Sequence, residues 1–424
     1  MDCQKVLNKI QKDFDSIFYK SHAELNIRYI QEFNPANEYE GIKAITYDGL
    51  TRNDFKTKNF GYIGFPEASK GANVPAVVLV HGGAGYPFLK WIKEWNARGY
   101  AAIAISTVGV FPKRLNAGDV EGALSKDWIN SLEGCFAETG YIASPDNDDM
   151  RIRDTQSVDE MWMYHAVSQV LLAGKVLETF DNINKSQIGV VGISWGSVIL
   201  SIALGYKNNF AYAIPVYGSG YLGESLSFMR YKFLLPRVQD LWLAEKRFQN
   251  VKIPVLWICM NNDGCFSVNS NSKSYEDTVK NNKRTTLSIK DGWIHGHSCC
   301  WDAVHYPCAE IYAFADALTG KGTFPCINEF SLSADGMFSL CFSGIVKSDV
   351  TATLYYLTDE YEYSIPFNIH ESHPSHKWKK KRAGIDRSGR IVTVSIPENA
   401  TCFYMEIRDK VKNITISSTL CKNM

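Results

Sequence analysis

The 424-residue sequence predicts an α/β fold, a doubly wound and mostly parallel sheet with helices on both faces, followed by an all-β, sandwich-like module. Three observations predict it. Continuous apolar runs at residues 75–80, 100–105, 188–193, 210–217 and 253–259 have the texture of strands covered on both faces. Helical patterns lie between several of these runs, so strand, helix and strand alternate as in parallel βαβ units. Beyond residue 324 the long patterns give way to short alternating or β-branched runs, the mark of a small antiparallel sandwich. The chain therefore divides into a helical segment over residues 1–35, a main α/β domain over 36–322 and a β module over 327–424.

Each element has its own warrant. Val6, Leu7, Ile10, Phe14, Ile17 and Phe18 recur at helical spacing and predict a leading helix that packs on the main domain. Residues 41–47 and 60–65 read as a pair of antiparallel edge strands. The run 75–80, an amphipathic helix over 88–98 with Leu89, Trp91, Ile92 and Trp95 on one face, and the run 100–105 make one βαβ unit, whose crossover is right-handed. Residues 106–154 are aperiodic and rich in Gly, Asn and Asp; a loop this long in a compact domain is usually functional, and it is assigned to the rim of the site. A helix over 158–180 leads to the strand ending at Ile193. Residues 221–248 are aromatic and helical in texture and are expected to form a pocket wall. Strands at 253–259 and 285–289 and a helix over 306–318 complete the domain. In the tail, strands are expected at 329–332, 337–342, 350–357, 361–365, 391–396, 402–407 and 414–417. The tail is expected to be an accessory module with its own core, shielding an apolar face of the main domain or contributing substrate or subunit contacts.

Composition narrows the function. Lys and Arg (45) balance Asp and Glu (45), so no net field draws nucleic acid or an anionic membrane, and a neutral or locally recognised substrate fits better. The N-terminus has no apolar run of signal-peptide length and no stretch approaches the roughly 20 apolar residues of a membrane span, so a cytoplasmic location is expected, or a secreted one if a leader has been removed. Eleven Cys without metal-ligand spacing read as mostly reduced thiols, with pairing among a few left open. No cofactor and no metal is expected, and oligomerisation is left open. His370, His373 and His376 are spaced three apart but lack a helical pattern and are broken by Pro374, so they read as a solvated loop. The basic run 377–382 around Trp378 reads as an exposed strand end, and Cys299 and Cys300 as packing residues.

The chemistry is concentrated in a few stretches. Gly192-Ile193-Ser194-Trp195-Gly196 follows an apolar strand and opens a helix, the setting of a nucleophile elbow, in which a strained turn lifts the Ser hydroxyl above the sheet and neighbouring side chains must be absent. A Ser hydroxyl is a weak nucleophile at neutral pH, so it needs an imidazole base, and the imidazole needs a carboxylate. These should follow on loops after later strands. Asp263, in the first polar turn after the 253–259 run, is the candidate acid, and His295-Gly296-His297 after the next strand supplies the base. An oxyanion hole needs backbone N–H donors. Trp195, next after the Ser, offers one, and Gly83 or Ala84 in His81-Gly82-Gly83-Ala84-Gly85 the other.

These stretches, with Trp91 through Ala104 and Pro254 through Trp257, resemble the acetyl xylan esterase and dienelactone hydrolase-like branch of the α/β-hydrolases over residues 40–320. The resemblance implies an α/β-hydrolase fold and a catalytic triad of Ser194, Asp263 and His297, His297 being favoured because Gly-His followed by small residues is how the base loop reads in peptidase-like and esterase-like members. His295 is then an alternative base or a pocket residue. Dienelactone hydrolases proper use Cys, so Ser194 points to the esterase side: a serine esterase acting on small acyl groups, with acetyl on a carbohydrate as the expected substrate. A prolyl-oligopeptidase-like peptidase is the second reading, with too little chain before residue 40 for a gating propeller. A binding protein on an inactive hydrolase fold is the third.

Overall fold

The computed structural model describes residues 2–35, 39–52, 54, 56–67, 73–83, 85–108, 157–225, 228–293, 295–296, 308–346, 349–359, 377–386, 388 and 390–422. Among these, β1 (Arg28–Tyr29), β2 (Lys43–Asp48), β3 (Lys58–Gly64), β4 (Val74–Val80), β5 (Ala101–Ile105), β6 (Ile183–Ile193), β7 (Tyr212–Val216), β8 (Leu256–Met260) and β9 (Thr286–Lys290) form one sheet, in the order β1-β2-β3-β5-β4-β6-β7-β8-β9. The pairs from β1 to β3 and the β3–β5 pair are antiparallel; β5-β4-β6-β7-β8-β9 is parallel throughout. All seven residues of β4 and all five of β5, β7 and β8 are buried, which is why their sequences are continuously apolar; β9 is buried too, with Thr286, Ser288 and Lys290 alternating with Leu287 and Ile289.

Around the sheet lie α1 (Cys3–Ile17), α2 (His22–Leu25), α3 (Leu89–Ala97), α4 (Trp162–Glu178), α5 (Trp195–Ala203), α6 (Pro236–Trp242), α7 (Val268–Val279) and α8 (Ala309–Leu318). None of the helices among the described residues is long and apolar enough to cross a membrane. In α1, Val6, Ile10, Phe14 and Ile17 are buried, at the spacing of one helix face. Phe14 packs 5.4 Å from the Tyr164 ring of α4, and the Tyr164 hydroxyl donates to Asp13 at 2.8 Å. The leading segment is not helical to its end. A capping box at Ser21 opens α2, Asn26 in the left-handed region closes it, and the chain then enters the sheet as β1.

Helix α7 carries no apolar stripe. It buries Ser270, Asn271, Ser272, Ser274 and Thr278 beside Val268 and Tyr275. Two of the hydroxyls are satisfied within the helix: Ser274 donates to the Ser270 carbonyl at 2.7 Å and Thr278 to the Ser274 carbonyl at 2.8 Å, and the Thr278 hydroxyl also accepts from the Trp257 indole at 2.9 Å.

The tail forms β10 (Cys326–Leu332), β11 (Met337–Ser343), β12 (Val350–Leu357), β13 (Lys379–Arg382), β14 (Gly384–Ile385), β15 (Ile391–Ser395), β16 (Cys402–Asp409), β17 (Ile414–Ser417) and β18 (Cys421–Lys422). One sheet runs β10-β11-β15-β14, the other β13-β12-β16-β17, with β18 on β16. Phe338, Leu340, Phe342, Val392 and Val394 of the first share a core with Ala352, Leu354, Phe403, Met405 and Ile407 of the second. The basic run is β13, paired with β12; the strand expected at 361–365 and the His370, His373 and His376 loop lie outside the described residues.

The module is also joined to the main sheet. Tyr355 and Tyr404 belong to the main core. β17 packs against β9, the end strand of the sheet, where an uncovered edge would be open to pairing with another chain. The Ser417 hydroxyl accepts from the Ile289 N–H at 3.1 Å. Beneath it Lys290 is ion-paired with the fully buried Glu310, which also accepts the Thr415 N–H at 2.6 Å. Glu310→Ala leaves a nearly buried ammonium and a buried N–H without their acceptor, and is expected to lower unfolding free energy in urea by about 3–5 kcal/mol.

Candidate active site

Ser194 sits between β6 and α5 with φ 54° and ψ −118°, a conformation that side-chain-bearing residues rarely adopt. Its N–H donates to the Val216 carbonyl at 2.8 Å, which pins the strained residue to the neighbouring strand. The two flanking glycines are steric necessities. A Cβ at Gly192 would overlap the Gly196 carbonyl, and one at Gly196 would overlap the Val80 carbonyl of β4. The turn is therefore wedged between two strands and a helix, with the hydroxyl at the carboxyl end of the sheet.

Asp263 follows β8. Its Oδ1 accepts the backbone N–H groups of Cys265 at 2.8 Å and Phe266 at 3.2 Å, which fixes the carboxylate and leaves Oδ2 free to face the next loop. That loop leaves β9, turns at Gly292, where φ is 73°, and delivers His295. His295 Nδ1 lies 3.0 Å from Asp263 Oδ2, and its Nε2 lies 2.9 Å from Ser194 Oγ. With a carboxylate at Nδ1, that nitrogen carries the proton and Nε2 presents its lone pair to the Ser hydroxyl. The ring is held on one face by Phe266, stacked at 5.9 Å, and by Tyr217 at 5.3 Å.

This arrangement corrects the favoured base. The imidazole that meets both Ser194 and Asp263 is His295; His297 lies outside the described residues. The physical reason is reach. Nδ1 and Nε2 of one ring must span the carboxylate and the hydroxyl together, and the turn at Gly292 already brings His295 into that gap.

Burial disfavours the charged His295 ring, but the Asp263 carboxylate and its hydrogen bond outweigh this and hold its pKa above the ordinary value. An imidazolium cannot take the Ser proton. Activity is therefore expected to fall as pH drops through a value above 6.5, the ordinary His value. Asp263→Asn removes both raising influences, so the acid limb of a pH–kcat/KM profile should move downward while kcat falls by about 10⁴ through the wrong tautomer.

As the first residue of α5, Trp195 has an N–H that no intrahelical carbonyl can accept, placed next to Ser194. Gly83 lies against it: a Cβ there would stand 3.0 Å from Trp195 Cδ1. Ala84, the other candidate donor, lies outside the described residues. His81 braces this turn, its Nδ1 meeting the Gly82 carbonyl at 2.7 Å while Nε2 accepts from the Thr107 N–H at 3.1 Å. The Thr107 carbonyl in turn accepts from Trp162 at 2.8 Å, and Trp162 meets Trp195 edge-on at 5.5 Å. Phe233, from the segment expected to be a pocket wall, stacks with Trp195 at 6.3 Å. Most of the loop expected to form the rim, residues 109–156, lies outside the described residues, as do Cys299 and Cys300.

Cys265 was not anticipated at the site. Its sulfur, an Asp263 oxygen and a His295 nitrogen lie within 4.8 Å of one another, a grouping that could hold a metal ion. Asp263 and His295 already serve each other, and burial together with the Asp263 charge pushes the Cys265 thiol up to about 12, so at neutral pH it is protonated and a poor ligand. The sequence also gave no weight to Asn261 and Asp291. Asn261 stands at the start of the acid loop and Asp291 at the start of the base loop, and the Asn261 amide donates to Asp291 Oδ1 at 2.8 Å. The only signal for them was their place immediately after a buried strand.

The parallel sheet with its antiparallel edge, the elbow after β6, and the order Ser, Asp, His along the chain define an α/β-hydrolase fold. No family profile matches the chain, and no curated protein sequence does. Among solved structures it is similar to the acylaminoacyl peptidase of Pyrococcus horikoshii, at 18% identity over 66% of this chain and 42% of that one, with a TM-score of 0.46. It is similar also to an acetyl xylan esterase from Paenibacillus sp. R4, at 15% identity over 73% and 94% of the two chains and a TM-score of 0.47. A Mycobacterium tuberculosis puromycin-hydrolyzing peptidase aligns at 17% identity over 64% and 39%, with a TM-score of 0.43. The chain spans about two-fifths of the length of the peptidases it matches.

Proposed function

We propose that this protein is a serine hydrolase that cleaves carboxylic esters through an acyl-enzyme. The observation that carries the reading is the continuous path from Asp263 through His295 to Ser194, at 3.0 and 2.9 Å, on a strained elbow. His295 takes the Ser194 proton as Oγ attacks the ester carbonyl. The N–H groups of Trp195 and of the Gly83–Ala84 turn receive the oxyanion. His295 then returns the proton to the leaving alcohol, and a water repeats the cycle to free the acid. Asp263 stays ionised and stabilises the imidazolium.

A small acyl group on a neutral alcohol is the preferred substrate, acetyl on a sugar in particular. The described surroundings are apolar: Tyr217 and Phe266 pack on the His295 ring, and Phe233 on Trp195 beside Ser194. Ser rather than Cys at the elbow, with the balanced charge of the chain, supports this preference. Peptidase chemistry uses the same relay and is the second reading. The test is a side-by-side assay of p-nitrophenyl acetate, acetylated sugars and aminoacyl amides, with covalent labelling by a fluorophosphonate. Fast turnover of the acetyl esters with labelling at Ser194 supports the reading; turnover of the amides alone moves the protein to the peptidases, and absence of labelling removes it from the serine hydrolases.

A further inference from the structure

We infer that the C-terminal β module positions the catalytic relay by clamping the acid and base loops together through Asn261. The inference rests on the reading of Asp263 and His295 given above. Asn261 stands two residues before Asp263, and Asp291 four residues before His295. The two loops are already tied by the Asn261 N–H to the Lys290 carbonyl at 3.0 Å and by the Asn261 amide to Asp291 Oδ1 at 2.8 Å. Three side chains of the module close on this junction. The Trp378 indole donates to the Asn261 carbonyl at 3.0 Å, the Tyr404 hydroxyl accepts from the Asn261 amide at 3.2 Å, and Lys380 pairs with Asp291 Oδ2 at 2.6 Å.

These side chains are themselves held. Tyr404 is fully buried, stacks on Tyr355 with ring centroids 4.9 Å apart, and receives the edge of Trp378 at 5.2 Å. The three rings form one rigid block on the module side. Loops need such support because their own backbone is not in a sheet ladder, and a displacement of about 1 Å at a reacting group can cost 10²-fold in rate. Tyr404 and Trp378 are thus positioning residues: they act through Asn261 on Asp263 and, through Asp291, on His295. The exposed Lys380 pair contributes less, since water and salt screen it.

The test compares wild type with Trp378→Phe, Tyr404→Phe and their double variant, which delete the two hydrogen bonds and keep aromatic rings at both sites. Ser272→Ala serves as a control, since it removes a module contact away from the two loops, the acceptor of the Leu420 N–H at 3.0 Å. Each protein is assayed for kcat and KM on p-nitrophenyl acetate, for its second-order rate of fluorophosphonate labelling, and for thermal unfolding. The double variant is expected to lose about 10- to 100-fold in kcat and in labelling rate with KM within about threefold. Ser272→Ala should shift unfolding alone. Retention of kcat and labelling within twofold in the double variant, or equal losses in it and Ser272→Ala, overturns the clamp. If wild type shows no hydrolysis or labelling that Ser194→Ala abolishes, the catalytic reading itself has failed; if it does and the double variant is unimpaired, only the clamp has.

Discussion

Ser194→Ala is expected to lower kcat on p-nitrophenyl acetate by about 10⁶ and to leave the protein folded, with unfolding shifted by no more than a few degrees. The change deletes one hydroxyl. Ala meets no new steric conflict at φ 54° that Ser does not already meet, and the backbone bond from residue 194 to the Val216 carbonyl remains. On the proposed mechanism, what disappears is the atom that forms the acyl-enzyme, so the remaining rate is what the oxyanion donors and binding alone give to water. Stopped assays of purified protein, with circular dichroism as a control for folding, check the result. Residual activity within about tenfold of wild type would show that ester cleavage does not pass through Ser194.

The elbow was legible because its sequence is dictated by contact. Gly192 and Gly196 face carbonyl groups of adjacent elements with no room for a Cβ, and only a few residue types fit such a turn. The buried strands were legible for the opposite reason: with both faces covered, β4, β5, β7 and β8 need no alternation, and a continuous apolar run is their mark. In the tail, β11 and β15 alternate buried and exposed residues as one-sided strands should.

Helix α7 was missed because its inward face is hydroxylic. A periodicity search counts apolar side chains, whereas Ser274 and Thr278 are accommodated in the core by donating to carbonyls of their own helix. Strand β1 was missed because it is two residues long and exposed. The role of Trp378 was hidden for another reason. A Trp beside a Lys-rich run looks like a surface strand end, and β13 is largely exposed; the indole itself turns inward to the Asn261 carbonyl, a partner 117 residues away in the chain. Contacts of that range leave no trace in local pattern.

The choice between the two histidines belongs to the same class of problem, and it gives the second large effect. His295→Ala is expected to lower kcat by about 10⁶, comparable to loss of the nucleophile, because Ser and His act as one unit and removing either disables both. His297→Ala should stay within a few-fold. His295 reaches Asp263 Oδ2 with one nitrogen and Ser194 Oγ with the other, and Phe266 and Tyr217 pack against the ring in that orientation. The two residues differ in sequence by a single glycine step, so spacing alone could not separate them; the contacts of His295 with Asp263 and Ser194 do. Fluorophosphonate labelling sharpens the comparison, since the rate at which Ser194 is phosphonylated depends on the base and not on the leaving alcohol of any ester. A His297→Ala protein that loses kcat and labelling by orders of magnitude, while His295→Ala keeps them, would return the base to His297 and require the loop after β9 to take another path in the working enzyme.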